Sequence, residues 1–344
     1  MTGMNERAAW WTRAMLLALA CSPLVLRGQD IHFTQFFHTP LALSPASIGQ
    51  FDGDYRFNGV YRQQWRSVTT PYRTFGFGAD AASFLGVEGL GVGAWLYNDR
   101  AGDSRLNTFH FSLGGSWTER FGDASEHAVT GGLQLGITAI SIDQADLSFD
   151  AQYNGFYYDP ALATNENFAR SALSHPDVHA GVRYAYTPAP RERIEAGFAL
   201  FNLTTPEIGF QGGPGSPLDT RSVFHVITQF PVGEKLDVLP MVQYMAQGKF
   251  RELSIGGSVR HILLDRYGLT RAVRLGAYYR AADAGNLYAG LEYDDWTFGI
   301  SYDINLSDLE PASNNRGALE LTAIYIIRRR PLVPVRYKAC PDQL

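Results

Sequence analysis

The chain has 344 residues, of which 45% are hydrophobic, 18% charged and 13% aromatic; it has 35 glycines and a net charge of −5. This is too apolar for disorder and too sparsely charged for an ordinary soluble enzyme. It carries no basic footprint for a nucleic-acid partner.

The N-terminus has the form of an export signal. Arg7 and Arg13 precede an apolar run from Ala14 to Leu26, interrupted by Pro23. That run is short for a membrane-spanning helix and of the length expected for a signal h-region. Small Gly28 before Gln29 marks the expected cleavage point, with residues 1–28 removed. Cys21 only loosely fits a lipoprotein box. Cysteine occurs twice, at Cys21 and Cys340, so the mature chain is expected to hold neither an internal disulfide nor a cysteine metal site.

Residues 29–53 contain Phe33, Phe36 and Phe37 but no strand alternation. Such an apolar stretch does not stand free in water, and it is expected to plug a lumen or dock on a periplasmic partner. From residue 54 to 327 a period of two recurs between turn signals. Strands are predicted at 54–64, 72–82, 87–97, 105–117, 127–140, 177–187, 191–203, 221–230, 235–246, 251–262, 271–281, 285–293, 295–304 and 316–327. Each has about the ten residues that a tilted strand needs to cross a bilayer.

The last hairpin is the clearest. Trp296, Phe298, Ile300, Tyr302 and Ile304 alternate with Thr297, Gly299, Ser301 and Asp303. Across the strands one face is Leu, Val, Ile, Phe and Tyr, while the other carries Gly, Ser, Thr and charges such as Asp80, Arg183, Arg260, Arg274 and Glu292. The three longest connections, 141–176, 204–220 and 305–315, are all odd-numbered, and most even ones are short; 118–126 and 263–270 stand out as long even turns. Long loops on one side and tight turns on the other predict an all-β, transmembrane, antiparallel outer-membrane barrel of about fourteen strands. A soluble sandwich gives no reason for that sorting. An even count puts both termini, including the tail 328–344 with Arg328, Arg329 and Arg330, on the short-turn, periplasmic side.

Other patterns have plain explanations. Gly89, Gly91 and Gly93 lie at period two with no helix after them, so they form no phosphate loop. Asp143, Asp146, Asp150 and Asp159 fall in a long loop without a calcium-loop spacing. Pro176 separates His175 from His179 at the start of a strand, and the two read as unrelated surface histidines. Neither a Gly-x-Ser-x-Gly elbow nor a Ser/His/Asp set occurs, so no enzyme activity, cofactor or metal is expected.

Several segments resemble one family. Asp30-Ile31-His32-Phe33-Thr34-Gln35, Pro40-Leu41, Ser44-Pro45-Ala46 with Gly49, and Tyr61-Arg62-Gln63-Gln64-Trp65 followed by Pro71-Tyr72 and Thr74-Phe75 are similar to the start of mature PorP/SprF proteins. The similarity continues through Tyr97-Asn98-Asp99, Phe201-Asn202-Leu203, Tyr279-Arg280, Gly299-Ile300-Ser301-Tyr302-Asp303 and Ala339-Cys340-Pro341. Ser44 stands where the family has Asn, and Asp342-Gln343-Leu344 departs from its usual ending. The resemblance implies an outer-membrane component of type IX secretion in Bacteroidota. Such proteins assist export or surface attachment of an adhesin, gliding protein or other secreted substrate, and are associated with periplasmic ring and motor components. On this reading Phe33, Phe36, Phe37, Pro45, Ala46, Arg62, Gln64 and Trp65 are the candidate partner-binding residues. The last three also suit an ordinary strand end, with Trp65 at the lipid interface. The polar strand face alone equally suits a porin or fatty-acid-transporter channel.

The mature protein is expected to begin at Gln29. Intact mass measurement checks this; a species retaining Trp10 and Trp11, or lipid on Cys21, would contradict it.

Overall fold

The computed structural model describes residues 30–64, 70–102, 105–144, 147–266, 269–307 and 314–328. The expected signal peptide, Trp65, Asp146, Arg329, Arg330 and Cys340 lie outside the described residues.

Period-two segments become strands because successive side chains point to opposite faces. Fourteen of them close into one antiparallel barrel. They are β1 (Tyr55–Gln64), β2 (Tyr72–Ala81), β3 (Leu90–Ala101), β4 (Leu106–Phe121), β5 (His127–Ser141), β6 (Ala172–Ala189) and β7 (Glu192–Phe201). β8 (Arg221–Pro231), β9 (Leu236–Gln247), β10 (Phe250–Arg266), β11 (Leu269–Arg280), β12 (Ala284–Tyr293), β13 (Trp296–Asn305) and β14 (Arg316–Ile327) complete the wall. Each pairs with its chain neighbours, and the seam joins β1 to β14 from Tyr55↔Ile327 to Gln64↔Ala318. No edge strand is left unpaired, which is what a bilayer demands of backbone N–H and C=O groups.

The apolar face points outward. Leu135, Leu275 and Ile300 are 64%, 67% and 48% exposed, whereas Gln134, Ser301 and Glu320 on the opposite face are fully covered. No helix among the described residues is long and apolar enough to cross a membrane; the strands supply the spanning surface.

Three strands run longer than their sequence pattern suggests. β4 continues past residue 117 because Thr118 still faces inward and pairs with Thr130 of β5. β10 continues to Arg266 across a register shift between Ile262 and Leu264, and that bulge breaks the period two in the sequence. β6 begins at Ala172, before Pro176. Pro176 pairs with Ile137 of β5 beyond the last β7 residue, where β6 is an edge and a missing N–H costs no ladder bond. The two long even connections therefore shrink to 122–126 and 267–268, and the sorting of long and short connections becomes cleaner. His175 and His179 are not surface residues: as strand residues two apart from Asp177 they share its inward face, and both are buried.

The segment before β1 lies inside the barrel, against inward-facing wall residues. Ile31 meets Arg221, and His32 meets Glu252, both at the long-loop end. Asp52 meets Arg328 at the short-turn end. The segment between them thus runs the height of the lumen, rather than standing below the barrel on the short-turn side.

Ile300→Arg places a cation against lipid near mid-membrane, at a cost of roughly 2–4 kcal/mol. It should abolish the migration difference between unboiled and boiled samples in detergent gels. Val232→Arg, in the exposed 232–235 turn, should leave that difference intact. Ser301, the neighbour of Ile300 on the opposite face, is buried, and its hydroxyl accepts from Gln35.

Candidate functional site

The lumen segment has three short helical turns: Phe36–His38, Pro40–Leu43 and Pro45–Ser47. Pro40 and Pro45 each sit at a first helical position, where a missing N–H is no loss. The Ser44 hydroxyl accepts from Ala46 N at 3.2 Å and caps the third turn. Helices this short have no stability of their own. Their shape is held by the walls.

At the long-loop side, one carboxylate takes two successive backbone donors. Thr34 N and Gln35 N donate to Glu320 at 2.9 and 2.7 Å. The Gln35 amide donates to Ser301 Oγ and the Glu320 carbonyl, both at 3.1 Å, and accepts from Thr322 Oγ1 at 2.7 Å. His38 Nδ1 lies 2.9 Å from Thr322 Oγ1. Arg62 binds the same cluster, donating to Thr34 Oγ1 at 2.6 Å, Glu320 at 3.1 Å and Asp303 at 3.0 Å. Arg280 supplies a second guanidinium to Asp303 at 3.0 Å. All of these groups are buried. A side chain at Gly299 would overlap the Gln35 amide, so the wall is bare where the segment leans on it.

Below the clamp, apolar contacts take over on two sides. Phe37 stacks on Tyr278, with centroids 5.5 Å apart, and meets the edge of Tyr288 at 5.2 Å. The Arg274 guanidinium lies 5.3 Å from the Phe37 ring centroid. Phe36 and Leu43 join Phe201, Val223, Leu239 and Met241 in one cluster. Phe33, Leu41 and Ile48 pack with Val60 and Trp95 in another.

At the short-turn side the contacts become polar again. Arg56 pairs with Asp80 and donates to the Ser47 carbonyl at 3.0 Å, and Gly49 N donates to Asp80 at 2.7 Å. Ser116 Oγ donates to the Ile48 carbonyl at 2.7 Å, and Gln50 bridges Thr118 and Arg183. The Pro45–Ala46 backbone lies where a side chain at Gly132 would be. The segment is thereby hydrogen-bonded to the wall at both ends and packed on apolar residues between them.

The sequence candidates separate accordingly. Phe33, Phe36, Pro45 and Ala46 are buried in the lumen, and Phe37 is half-buried there. Arg62 is at the centre of the clamp; Gln64 lies at the end of β1, 3.5 Å from the Arg62 guanidinium. Glu320, Asp303, Arg280 and Gln35 were not singled out in the sequence. Gln35, Arg280 and Asp303 fell within the family-like segments, and Glu320 showed only as a polar residue on the inward face; neither signal names a partner. Asp143, Asp150 and Asp159 are in the long fifth connection, apart from this site.

A family model described as "Type IX secretion system membrane protein PorP/SprF" matches residues 25–325. No curated protein matches the chain. Among solved structures, the chain is similar to the Ralstonia pickettii toluene transporter TbuX, with 12% identity, a TM-score of 0.45, and 83% of this chain and 92% of that chain covered. It is similar to the CymD monoaromatic hydrocarbon channel at 10% identity and TM-score 0.48, covering 85% and 94%. For the P. putida toluene transporter TodX the values are 11%, 0.44, 84% and 94%. These likenesses concern barrel architecture alone. With the family model spanning the lumen segment and nearly all of the wall, the chain belongs to the PorP/SprF family of type IX secretion system membrane proteins.

Proposed function

We propose that this barrel works in the outer membrane as an accessory to type IX secretion, assisting export or surface attachment of a partner protein through its ends rather than its bore. The observation that supports this reading is the filled lumen. A solute channel needs a continuous wet path, whereas here Thr34, Gln35 and His38 are buried against Glu320, Ser301 and Thr322.

The partner then has two accessible faces. On the long-loop side, the fifth connection carries Tyr153, Phe156, Tyr157 and Tyr158, with Tyr153 bridged to Tyr158 and Phe156 91% exposed. Exposed aromatics grouped on a loop tip suit a protein–protein contact. On the short-turn side, Asp52 and Arg328 lie at the mouth, where periplasmic ring or motor components would be met. The Phe33, Phe36 and Phe37 side chains serve the partner indirectly on this reading, by keeping the bore closed.

Deleting residues 30–50 while retaining the signal peptide should leave a heat-modifiable barrel in the outer membrane. It should also abolish export or display of the partner and give the purified barrel a conductance that the intact chain lacks. Normal export by a stably inserted deletion variant would refute the proposal. Arg62→Ala removes one cation from two buried carboxylates, a change that costs about 3–5 kcal/mol. It should lower the thermal transition of the folded barrel and produce intermittent conductance. Replacing both Phe156 and Tyr157 by Ser should keep stability and closure unchanged while reducing partner retention at the cell surface.

A further inference from the structure

Six carboxylates are buried among the described residues: Asp80, Asp177, Glu195, Asp237, Asp303 and Glu320. Five of them face an arginine. Asp80 pairs with Arg56, Glu195 with Arg183, Asp237 with Arg260, and Asp303 and Glu320 with Arg62. Asp177 is different. Its charged-group neighbours are histidines: His110 Nδ1 at 3.3 Å and His175 Nδ1 at 2.9 Å. A buried carboxylate is costly unless a positive charge faces it, and no arginine or lysine is paired with Asp177 among the described residues.

The strands assemble this cluster by register. His175, Asp177 and His179 alternate along β6 and share the inward face. His110 on β4 is separated from them by β5, where Thr138 pairs with His110 on one side and with His175 on the other. Opposite Asp177, β5 has Gly136. A side chain at Gly136 would crowd the His110 ring, so the glycine leaves room for His110 to lean across β5. The Thr138 hydroxyl donates to Asp177, and Tyr97 stacks on His110 at 5.0 Å. One ligand atom each from His110, Asp177 and His179 lies within 4.8 Å of the other two.

We infer that His110, Asp177 and His179 form a binding site for a divalent transition-metal cation of the zinc class, with His175 orienting the second oxygen of Asp177. Two imidazoles and a carboxylate are a ligand set suited to zinc, and they leave one position of a tetrahedral ion for water. Zinc bonds of about 2.0–2.1 Å require the three side chains to draw together from their present spacing. One contact gives way. Asn202 N donates to His179 Nδ1 at 3.1 Å, so coordination through Nε2 puts a proton on Nδ1 and opens that bond. The ion supplies the positive charge that arginine supplies to the other five carboxylates, and it ties β4 to β6 at the long-loop end of the wall.

The site can be tested without reference to secretion. The full-length mature barrel, extracted in detergent, is stripped with EDTA and reloaded with zinc chloride or cobalt(II) chloride. Metal is counted by mass spectrometry after desalting, and cobalt coordination is read by visible absorption. About one zinc per chain, and a tetrahedral cobalt spectrum, are expected. His110→Ala, Asp177→Asn and His179→Ala should each lose both signals, and His175→Ala should weaken binding roughly 10–100-fold. His127→Ala, at the short-turn rim beside Tyr184, should bind as the unaltered chain does. The gel shift between unboiled and boiled samples verifies that each variant is folded. A folded, unaltered barrel that holds no more metal than the folded His110/His179 double variant would overturn the assignment.

Discussion

A closed sheet of fourteen strands encloses more space than its own inward side chains can fill. The wall nevertheless presents arginines and carboxylates to that space, and each such group must find water or a partner. Here the partners are one another and, at Glu320, Asp303 and Asp80, the lumen segment. Glu320 accepts the successive amides of Thr34 and Gln35, and Arg62 neutralises it from across the seam. Around this one carboxylate meet the lumen segment, the first strand and the last. The rest of the interior follows from having the segment anchored there.

That anchoring explains the distribution of small inward residues. Gly299 is bare under Gln35, and Gly132 and Gly181 are bare under the Ser44–Ala46 turn. Side chains at these places would compete with the segment for volume, and overpacking a closed interior is costly. Apart from Arg274, which lies over Phe37, the arginines and carboxylates that touch the segment do so near its two ends, with Phe36, Phe37, Leu41 and Leu43 between them. The order along the segment therefore matches the order along the wall: polar, apolar, polar.

Much of the wall was legible because a period of two is local. Trp296 to Ile304 reads as a strand without knowledge of any other residue. The misjudged ends, at Thr118, Ile262–Leu264 and Pro176, are places where the local pattern loses force. A polar rim residue, a bulge and an edge proline all interrupt alternation without ending the ladder. The lumen segment was legible only as a lack of alternation with three phenylalanines. Its partners were not legible, since Gln35 and Glu320 are 285 residues apart in the chain. The same limit hid the histidines. His175 and His179 look unrelated as a helical i, i+4 pair, but as strand residues they flank Asp177 on one face, and the third histidine arrives from β4.

The seam shows how closure of the sheet and filling of the lumen become one thermodynamic event. Arg62 of β1 and Glu320 of β14 are register partners, so they are brought together only when the first and last strands pair. Glu320 in turn holds the Thr34 and Gln35 amides, and Asp303 on the adjacent β13 holds the Thr34 hydroxyl. Opening the seam therefore separates Arg62 from two buried carboxylates, as well as breaking the β1–β14 ladder. Removing the segment strips Glu320 of two backbone donors and Asp303 of the Thr34 hydroxyl while leaving both carboxylates in the wall. Each change exposes the unmatched charge that the other element was covering. Groups that share partners in this way do not contribute additively. The seam is stabilised by the lumen segment, and the segment by a closed seam.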